Sequence, residues 1–214
     1  TQRVLARALR HEPPDVLFLP IQMVPLRRPK TMATVAVVHD LEFFRYPRTF
    51  TMKNLVLLHL FTRHAARNAT RLITVSQYTK DDVIRTYGRR ASEITVVHHG
   101  VALPAAVGTG ERLRKRFGLP ARFLLFVGSF QPRKNIPRLL EAYEHLAADD
   151  AGAPGLVLVG GGGWKENHIV DRIRFSPRAA RIHVLRRVSR EELAGLYREA
   201  EVFIFPSLSE GFGM

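Results

Sequence analysis

Short apolar runs alternate along the chain with longer segments in which apolar residues recur every three or four positions. The short runs span four or five residues and are rich in Val, Ile, Leu and Phe. They are apolar nearly throughout, as expected of strands buried on both faces of a parallel sheet. Eight segments fit this description: 16–19, 34–38, 72–75, 94–97, 123–127, 156–159, 182–185 and 202–205. The alternation predicts an α/β fold of open parallel sheets with helices on both faces.

Several of the longer segments carry recognisable helix ends. Ser76 stands at an N-cap position, and Gly88 marks the end of the same helix. Ser189 and Glu192 have the spacing of a capping box. Asn135 precedes an apolar stripe, so we expect it to cap the helix that begins there.

The pattern breaks after residue 97. Residues 104–110 are rich in Pro, Ala and Gly, which is typical of a linker, and a basic helical segment follows at 111–117. We therefore predict two domains, 1–106 and 107–214. The chain opens on a helical segment and stops just after a glycine turn, so we expect both domains to be incomplete.

Composition narrows the class of protein. With 214 residues, 46% hydrophobic and 24% charged, the chain can bury a core. It has no cysteine, which excludes disulfide frameworks, cysteine nucleophiles and thiolate metal sites. No apolar run approaches the ~18–20 residues of a membrane span, so we expect a soluble protein.

The net charge of +14 permits binding to nucleic acid, to an anionic membrane or to a phosphorylated ligand. The cations are spread over both halves of the chain, and 27 of the 33 are Arg. A solvated Arg-rich surface is the alternative interpretation.

Ligands of open parallel sheets bind beyond the carboxyl ends of the strands, so the residues after each predicted strand are the candidates for chemistry. His39 and Asp40 follow the second strand, where imidazole and carboxylate can bind sugar hydroxyls or move a proton. Alternatively, Asp40 caps the next turn and His39 fills space. His98 and His99 follow the fourth strand. Neighbouring His side chains on a strand point to opposite faces, so a hinge or turn is favoured there.

The run from Gly128 to Asn135 reads Gly-Ser-Phe-Gln-Pro-Arg-Lys-Asn and follows the fifth strand. A glycine turn, the adjacent cations Arg133 and Lys134 and a helix N-terminus suit an anionic group such as a diphosphate. A solvated basic turn is the alternative.

Two glycine-rich exits follow later strands. Residues 160–163 are four glycines without the spacing of a Walker A or Rossmann motif, which favours a permissive turn. After the last strand, Glu210 stands beside two glycines, where it can accept hydrogen bonds from sugar hydroxyls. An ordinary turn with an exposed Glu is equally compatible with this spacing.

Taken together, the Gly128–Asn135 run, Val159 with its glycines and the run Phe-Pro-Ser-Leu-Ser-Glu210-Gly-Phe-Gly resemble the family-4 retaining glycosyltransferases. Val-His39-Asp40 and Ser76-Gln-Tyr-Thr are similar to that family's amino-terminal domain. The resemblance implies the GT-B fold, with two Rossmann-like parallel-sheet domains. Residues 1–106 would be the later part of the acceptor domain, and 107–214 the first part of the nucleotide-sugar donor domain.

The resemblance also assigns roles. Lys134, with Arg133 beside it, matches the basic pair that holds the donor's diphosphate. Glu210 would accept hydrogen bonds from the transferred sugar, which His39 would face across the cleft. The remaining matches present backbone to the donor and are Gly128, Gly211, Phe212 and Gly213.

The implied reaction moves a sugar from GDP-mannose or a UDP-sugar to a glycan or lipid-linked acceptor with retention of anomeric configuration. It uses no metal and no cofactor besides the donor. We expect a cytoplasmic protein, with contact at the inner face of the membrane left open, and we expect no nucleic-acid partner.

The chain departs from the family pattern in three places. Ser129 replaces a frequent Arg, which leaves the cationic role to Arg133 and Lys134. The motif's second Glu would lie eight positions after Glu210, beyond the last residue, and the family's first strands would precede Thr1. We therefore expect an internal fragment that is inactive in isolation.

Two other functions stay open. One is a non-catalytic basic α/β module that binds nucleic acid or an anionic membrane; the other is a sugar-phosphate isomerase or epimerase. Residues 55–61 with Arg63, His64, Arg67 and Arg71 would form an interfacial helix in the membrane case. A helix that packs on the sheet and has a basic end is the alternative.

Overall fold

The computed structural model describes residues 2–29, 31–102, 110–150, 152–163 and 166–214. The chain divides into two compact units, Thr1–Val101 with Glu210–Met214, and Ala102–Ser209. The boundary predicted at 106/107 and most of the predicted linker lie outside the described residues.

The first unit contains a four-stranded parallel sheet with the order β1-β2-β3-β4. One core cluster lies on the sheet, between it and two of the helices, and includes Ala36, Ala65, Leu72 and Val83. The elements in chain order are α1 (Gln2–His11), β1 (Val16–Leu19), β2 (Ala33–Val38), α2 (Glu42–Arg45), α3 (Met52–Asn68), β3 (Arg71–Thr74), α4 (Gln77–Tyr87) and β4 (Ile94–Val96).

The second unit contains another four-stranded parallel sheet, with the order β7-β6-β5-β8. Its elements are α5 (Gly110–Phe117), β5 (Phe123–Val127), α6 (Ile136–Asp149), β6 (Gly155–Val159), α7 (Glu166–Arg174), β7 (Ile182–Leu185), α8 (Arg190–Glu199) and β8 (Val202–Phe203).

Helices cover both faces of this second sheet. Because alternate residues of a strand point to opposite sides, each strand contributes side chains to both faces. Leu124, Phe126 and Leu158 pack against α6 and α7, while Leu125 and Val157 join α8 on the other face. The prediction of an α/β fold built of parallel sheets is therefore confirmed, and each of the eight predicted strands overlaps an observed one. The last strand is shorter than predicted and ends at Phe203.

Three predicted helix ends are confirmed, and the fourth, Asn135, is confirmed as the N-cap position of α6 but not as a side-chain cap. The Ser76 side chain accepts a hydrogen bond from the Thr79 amide, and Gly88 ends α4 in the left-handed conformation (φ +67°). Ser189 and Glu192 form a complete capping box. Asn135 does not cap α6 through its side chain. Its backbone is left-handed (φ +57°), and its amide side chain instead donates to the Pro206 carbonyl oxygen over 3.1 Å.

The described helices include none that is both long and apolar enough to cross a membrane.

Candidate functional site

The strand order of the second sheet reverses at β5. The chain runs outward from β5 through β6 to β7, and then returns to the opposite side of β5 as β8. In open parallel sheets such a reversal leaves a crevice at the carboxyl ends of the two strands that flank it, because their loops diverge there. The residues after β5 and after β8 therefore stand at the position where this fold binds ligands.

Three hydrogen bonds tie these two loops together. The Arg133 guanidinium donates to the Ser209 carbonyl oxygen over 2.6 Å, and the Leu208 amide donates to the Arg133 carbonyl oxygen over 2.9 Å. The Asn135 side chain adds the bond to Pro206 described above. Arg133 is thus a structural link between the two loops, which is a role that sequence reasoning missed.

Lys134 lies in the same turn, at the end of a short 3₁₀ helix, Pro132–Lys134. Its ammonium group sits 4.6 Å from the centre of the Phe205 ring, so the aromatic face holds the cation at the reversal point. The side chain is half-buried. Gly128, Arg133 and Lys134 are therefore brought together, as the sequence predicted.

The glycine run after β6 packs against the loop after β5. Gly160, Gly161 and Gly162 all have positive φ, at +138°, +148° and +64°. A Cβ at Gly160 would lie 2.0 Å from the Gly128 carbonyl oxygen, and one at Gly163 would lie 2.5 Å from that of Phe130. The permissive turn that the sequence favoured is confirmed, and its purpose is close backbone packing.

An ion pair holds the far side of this glycine loop. The Glu166 carboxylate accepts hydrogen bonds from the Arg186 guanidinium and from the Gly162 amide. The Arg186 hydrogen bond is the main reason that the pKa of Glu166 lies below its ordinary value. Glu166 and Arg186 lie twenty residues apart, and no local sequence pattern predicts that they pair.

In the first unit, His39 and Asp40 follow β2 as predicted. The His39 ring nitrogen Nε2 lies 2.8 Å from the Pro20 carbonyl oxygen. Because a carbonyl only accepts, Nε2 carries the hydrogen. Asp40 accepts a hydrogen bond from the Glu42 amide over 3.4 Å, which matches the turn-capping interpretation of that residue.

The segment 210–214 belongs to the first unit and is anchored there. The Gly211 carbonyl oxygen accepts hydrogen bonds from the Ser76 hydroxyl at 2.5 Å and the Thr79 hydroxyl at 3.3 Å. A Cβ at Gly211 would lie 2.0 Å from the His39 carbonyl oxygen, so only glycine fits. Glu210 itself is half-buried.

Aromatic contacts surround Phe212 in the same unit. The rings of His98 and His99 lie 5.6 and 5.3 Å from the Phe212 ring, and the His39 and His99 rings stack at 5.5 Å. Residues 98 and 99 lie outside the strand, so both rings reach one partner. Residues 97–100 are irregular and contain no assigned turn, so the turn is not confirmed and the hinge stays a prediction. The contact with Phe212 was missed because it joins residues more than 110 positions apart.

Comparison with known proteins matches nearly the whole chain. The sequence model described as Glycosyltransferase Family 4 matches residues 1–103, and that described as Glycosyl transferases group 1 matches residues 111–214. The O-antigen chain mannosyltransferase B of Escherichia coli is 26% identical over 184 residues, which are 84% of this chain and 48% of that protein. The chain spans about half the length of such relatives.

Solved structures show the same fold. Sucrose-phosphate synthase of Thermosynechococcus elongatus superposes on all of this chain and on 55% of its own, with a TM-score of 0.76 and 19% identity. HepE of Anabaena, determined in complex with UDP and glucose, covers 97% of this chain and 56% of its own, with a TM-score of 0.70 and 16% identity. The chain therefore has the GT-B type of α/β fold and belongs to the family-4 glycosyltransferases.

Proposed function

We propose that the protein transfers a sugar from a nucleotide-sugar donor to a glycan or lipid-linked acceptor. The observation that carries the proposal is the reversal of strand order at β5, where Lys134 and the tied loops after β5 and β8 meet. A cation and backbone amides at such a crevice suit the diphosphate of a nucleotide sugar.

Lys134 is the residue that we assign to the diphosphate. An ammonium ion beside a phosphate neutralises the charge that develops on the leaving nucleotide as the bond to the sugar breaks. Arg133 acts as a positioning residue in this proposal, because its guanidinium holds the Ser209 carbonyl and thereby the loop that precedes Glu210.

In this proposal His39, Glu210 and the backbone of residues 211–213 bind the transferred sugar. The contact of His39 Nε2 with the Pro20 carbonyl oxygen supports its part, since it orients the ring and leaves Nδ1 for a hydrogen bond with a sugar hydroxyl. The Ser76 and Thr79 hydroxyls hold Gly211 in place, which supports a defined backbone conformation next to Glu210.

The family resemblance supports transfer with retention. The bond between the anomeric carbon and the donor phosphate breaks, and a bond from that carbon to the acceptor oxygen forms on the same face. The acceptor's proton passes to the leaving phosphate. GDP-mannose and UDP-sugars are the candidate donors, supported by the mannosyltransferase relative and by the UDP complex of HepE. An acceptor linked to lipid would place the reaction at the inner face of the membrane.

Calorimetric titration tests the assignment of the diphosphate. The protein, expressed from its full coding sequence, is titrated with GDP-mannose and UDP-glucose, and the titration is repeated with Lys134→Ala. We expect one donor to bind and the substitution to weaken its binding at least tenfold, because a charge-assisted hydrogen bond is lost. Lys134→Arg should restore part of the affinity.

Lys115→Ala is the matched control, since Lys115 is an exposed cation on α5 of the same unit. It should bind the donor like the unaltered protein. Undiminished binding by Lys134→Ala would refute the role of this lysine. A protein that bound neither donor would refute the proposed function.

A further inference from the structure

The His99 side chain contacts two other rings of the first unit. Its imidazole stacks on that of His39, with 5.5 Å between the ring centroids and 14° between the ring planes. It meets the Phe212 ring edge to face, at 5.3 Å and 87°. Aromatic rings prefer both arrangements, the offset stack and the edge-to-face pair. His99 therefore joins two rings that lie far apart in the chain.

The orientation of the His39 ring depends on its neighbours. Rotation about the bond that joins a histidine ring to its Cβ atom is soft, because the preferred angles are broad. The contact of Nε2 with the Pro20 carbonyl oxygen, at 2.8 Å, restrains one atom of the ring. A second ring against the face of the imidazole restricts the rotation that a contact at one edge still allows. The two contacts together define the direction in which Nδ1 points.

The backbone beneath these rings is held by the start of α4. The Thr79 hydroxyl lies 3.2 Å from the His39 carbonyl oxygen and 3.3 Å from that of Gly211. The Ser76 hydroxyl donates to the same Gly211 oxygen over 2.5 Å. Thr79 is buried, which protects these hydrogen bonds from water. The two segments are thus attached to one helix end, and their rings meet again at His99.

The neighbouring histidine has a different environment. His98 is exposed, whereas His99 is half-buried. The His98 ring lies 5.6 Å from the Phe212 ring at a tilt of 42°, and the stack on His39 is made by His99. The contact with His39 therefore belongs to one of the two adjacent histidines.

We propose that His99, supported by Phe212, is a positioning residue that fixes the His39 imidazole for a hydrogen bond between Nδ1 and a hydroxyl of the transferred sugar. This role rests on the proposed function, in which His39 binds that sugar. Hydrogen bonds weaken steeply as their angle departs from linear, so a ring that turns freely binds the hydroxyl less well. A binding group whose orientation is locked by packing avoids that loss.

A contact that only fills space is the alternative role for His99. In that case its removal would loosen the first unit without regard to the ligand. If His99 positions His39, its removal weakens the binding of ligands that carry a sugar and spares those that do not. The two roles therefore differ in their effects on nucleotide sugars and on bare nucleotides.

Calorimetric titration with and without the sugar separates the two roles. The protein, expressed from its full coding sequence, is titrated with GDP-mannose and UDP-glucose, and with GDP and UDP. We expect His99→Ala to weaken the binding of the preferred nucleotide sugar about fivefold, because one hydrogen bond is made poorly, and to leave the bare nucleotide unchanged. His99→Phe keeps a ring against His39 and should restore most of the affinity.

A double-mutant cycle shows whether His99 acts through His39. His39→Ala should itself weaken binding of the nucleotide sugar and spare the bare nucleotide. In that background His99→Ala should have almost no further effect, because no ring is left to position. If the two losses added, His99 would act independently of His39 and the proposal would be wrong.

Histidine ¹⁵N NMR measures the His39 ring without any ligand. In the unaltered protein we expect separate signals for a protonated Nε2 and a bare Nδ1, and in His99→Ala we expect both to move toward the average of the two tautomers. His11→Ala is the matched control, because His11 is an exposed histidine of the same unit. It should change neither the titrations nor the His39 signals.

Two results would overturn the role of His99 and leave the proposed sugar transfer standing. One is a set of His39 signals that His99→Ala does not change. The other is equal weakening of the nucleotide sugar and the bare nucleotide by that substitution. A protein that bound neither nucleotide sugar would instead refute the proposed function and this role together.

Discussion

The two sheets of the molecule have the same number of strands, all parallel, yet they differ in strand order. The first runs β1-β2-β3-β4 in sequence, whereas the second reverses at β5. The cationic turn with Lys134 stands at that reversal, where the crevice between diverging loops forms. Strand order, more than strand composition, therefore decides where this fold can hold an anionic ligand.

Burial differs between the inner and the edge strands of the sheets. Every residue of β6 is buried, and core clusters cover both faces of the second sheet. On β1 of the first sheet, Val16 and Phe18 are 54% and 58% exposed. The edge strand β8 of the second sheet is exposed as well, with Val202 at 52% and Phe203 at 44%, so the buried support of the site comes from the inner strands β5 and β6.

The largest effect should come from removing a side chain at the centre of the second sheet. Leu158→Ala on β6 deletes a fully buried side chain, so we expect the second unit to lose about 3 kcal/mol of stability. Hydrogen exchange of β6 peptides measures that unit by itself. Val16→Ala on β1, measured in the same way in the first unit, should lose less than about 1 kcal/mol. Equal losses at the two positions would end the contrast between the inner strand β6 and the edge strand β1.

A smaller effect should follow from adding a side chain at Gly160, where the glycine loop after β6 packs against the loop after β5. Gly160→Ala forces a Cβ to within 2.0 Å of the Gly128 carbonyl oxygen and requires φ of +138°. We expect a loss of about 2 kcal/mol, and weaker donor binding because the loop that carries Lys134 must move. Hydrogen exchange and donor titration measure the two effects.

Gly162→Ala separates the two causes, because Gly162 has φ of +64° but no atom within 4 Å of a Cβ. Only the left-handed backbone is penalised there, at about 1 kcal/mol, and donor binding should hold. If Gly162→Ala weakened donor binding as much as Gly160→Ala, close packing of the two loops would not be the reason that glycine is needed.

The sequence was a sufficient guide to the strands and to the residues that follow them. Runs such as Phe123–Val127 are apolar throughout because both faces are buried, and that pattern is visible without a structure. His39, Gly128 and Lys134 became candidates for the site because each follows such a run, and their roles stay predictions. Where a side chain's role depends on one neighbouring turn, as at Ser76 or Ser189, the local prediction also held.

Pairing between distant segments was beyond the reach of the sequence. Nothing near Arg133 indicates that it donates to Ser209, 76 residues away, and nothing near Ser76 indicates Gly211. Asn135 illustrates the same limit, because its predicted cap lost to a bond with Pro206 that exists only once β8 lies beside β5. The return of β8 is decided by tertiary packing, which leaves no periodic signature in the chain.

The smallest effect concerns an ion pair on the second unit, between α6 and α7. The Glu144 carboxylate accepts hydrogen bonds from the Arg172 guanidinium at 2.6 Å and the Ser176 hydroxyl at 2.5 Å, and the Arg172 bond is the main cause that lowers its pKa. A carboxylate with a lowered pKa in the folded state stabilises the fold above its unfolded pKa, near 4.3, and this contribution fades as pH falls through the folded value.

Glu144→Gln should therefore lower stability by about 1 kcal/mol at pH 7, and this difference should shrink as the pH falls below about 4, because the unaltered carboxyl also becomes neutral. Urea unfolding at pH 7 and pH 3, followed through hydrogen exchange of α6, measures both.

Glu141→Gln on the same helix is the matched control. Its carboxylate is 55% exposed and lies 3.4 Å from Arg138, so screening by water leaves little to lose at either pH. A loss in Glu144→Gln that was equally large at both pH values would show that shape, and not charge, joins α6 to α7. The close packing of the second unit would then rest on its apolar clusters alone.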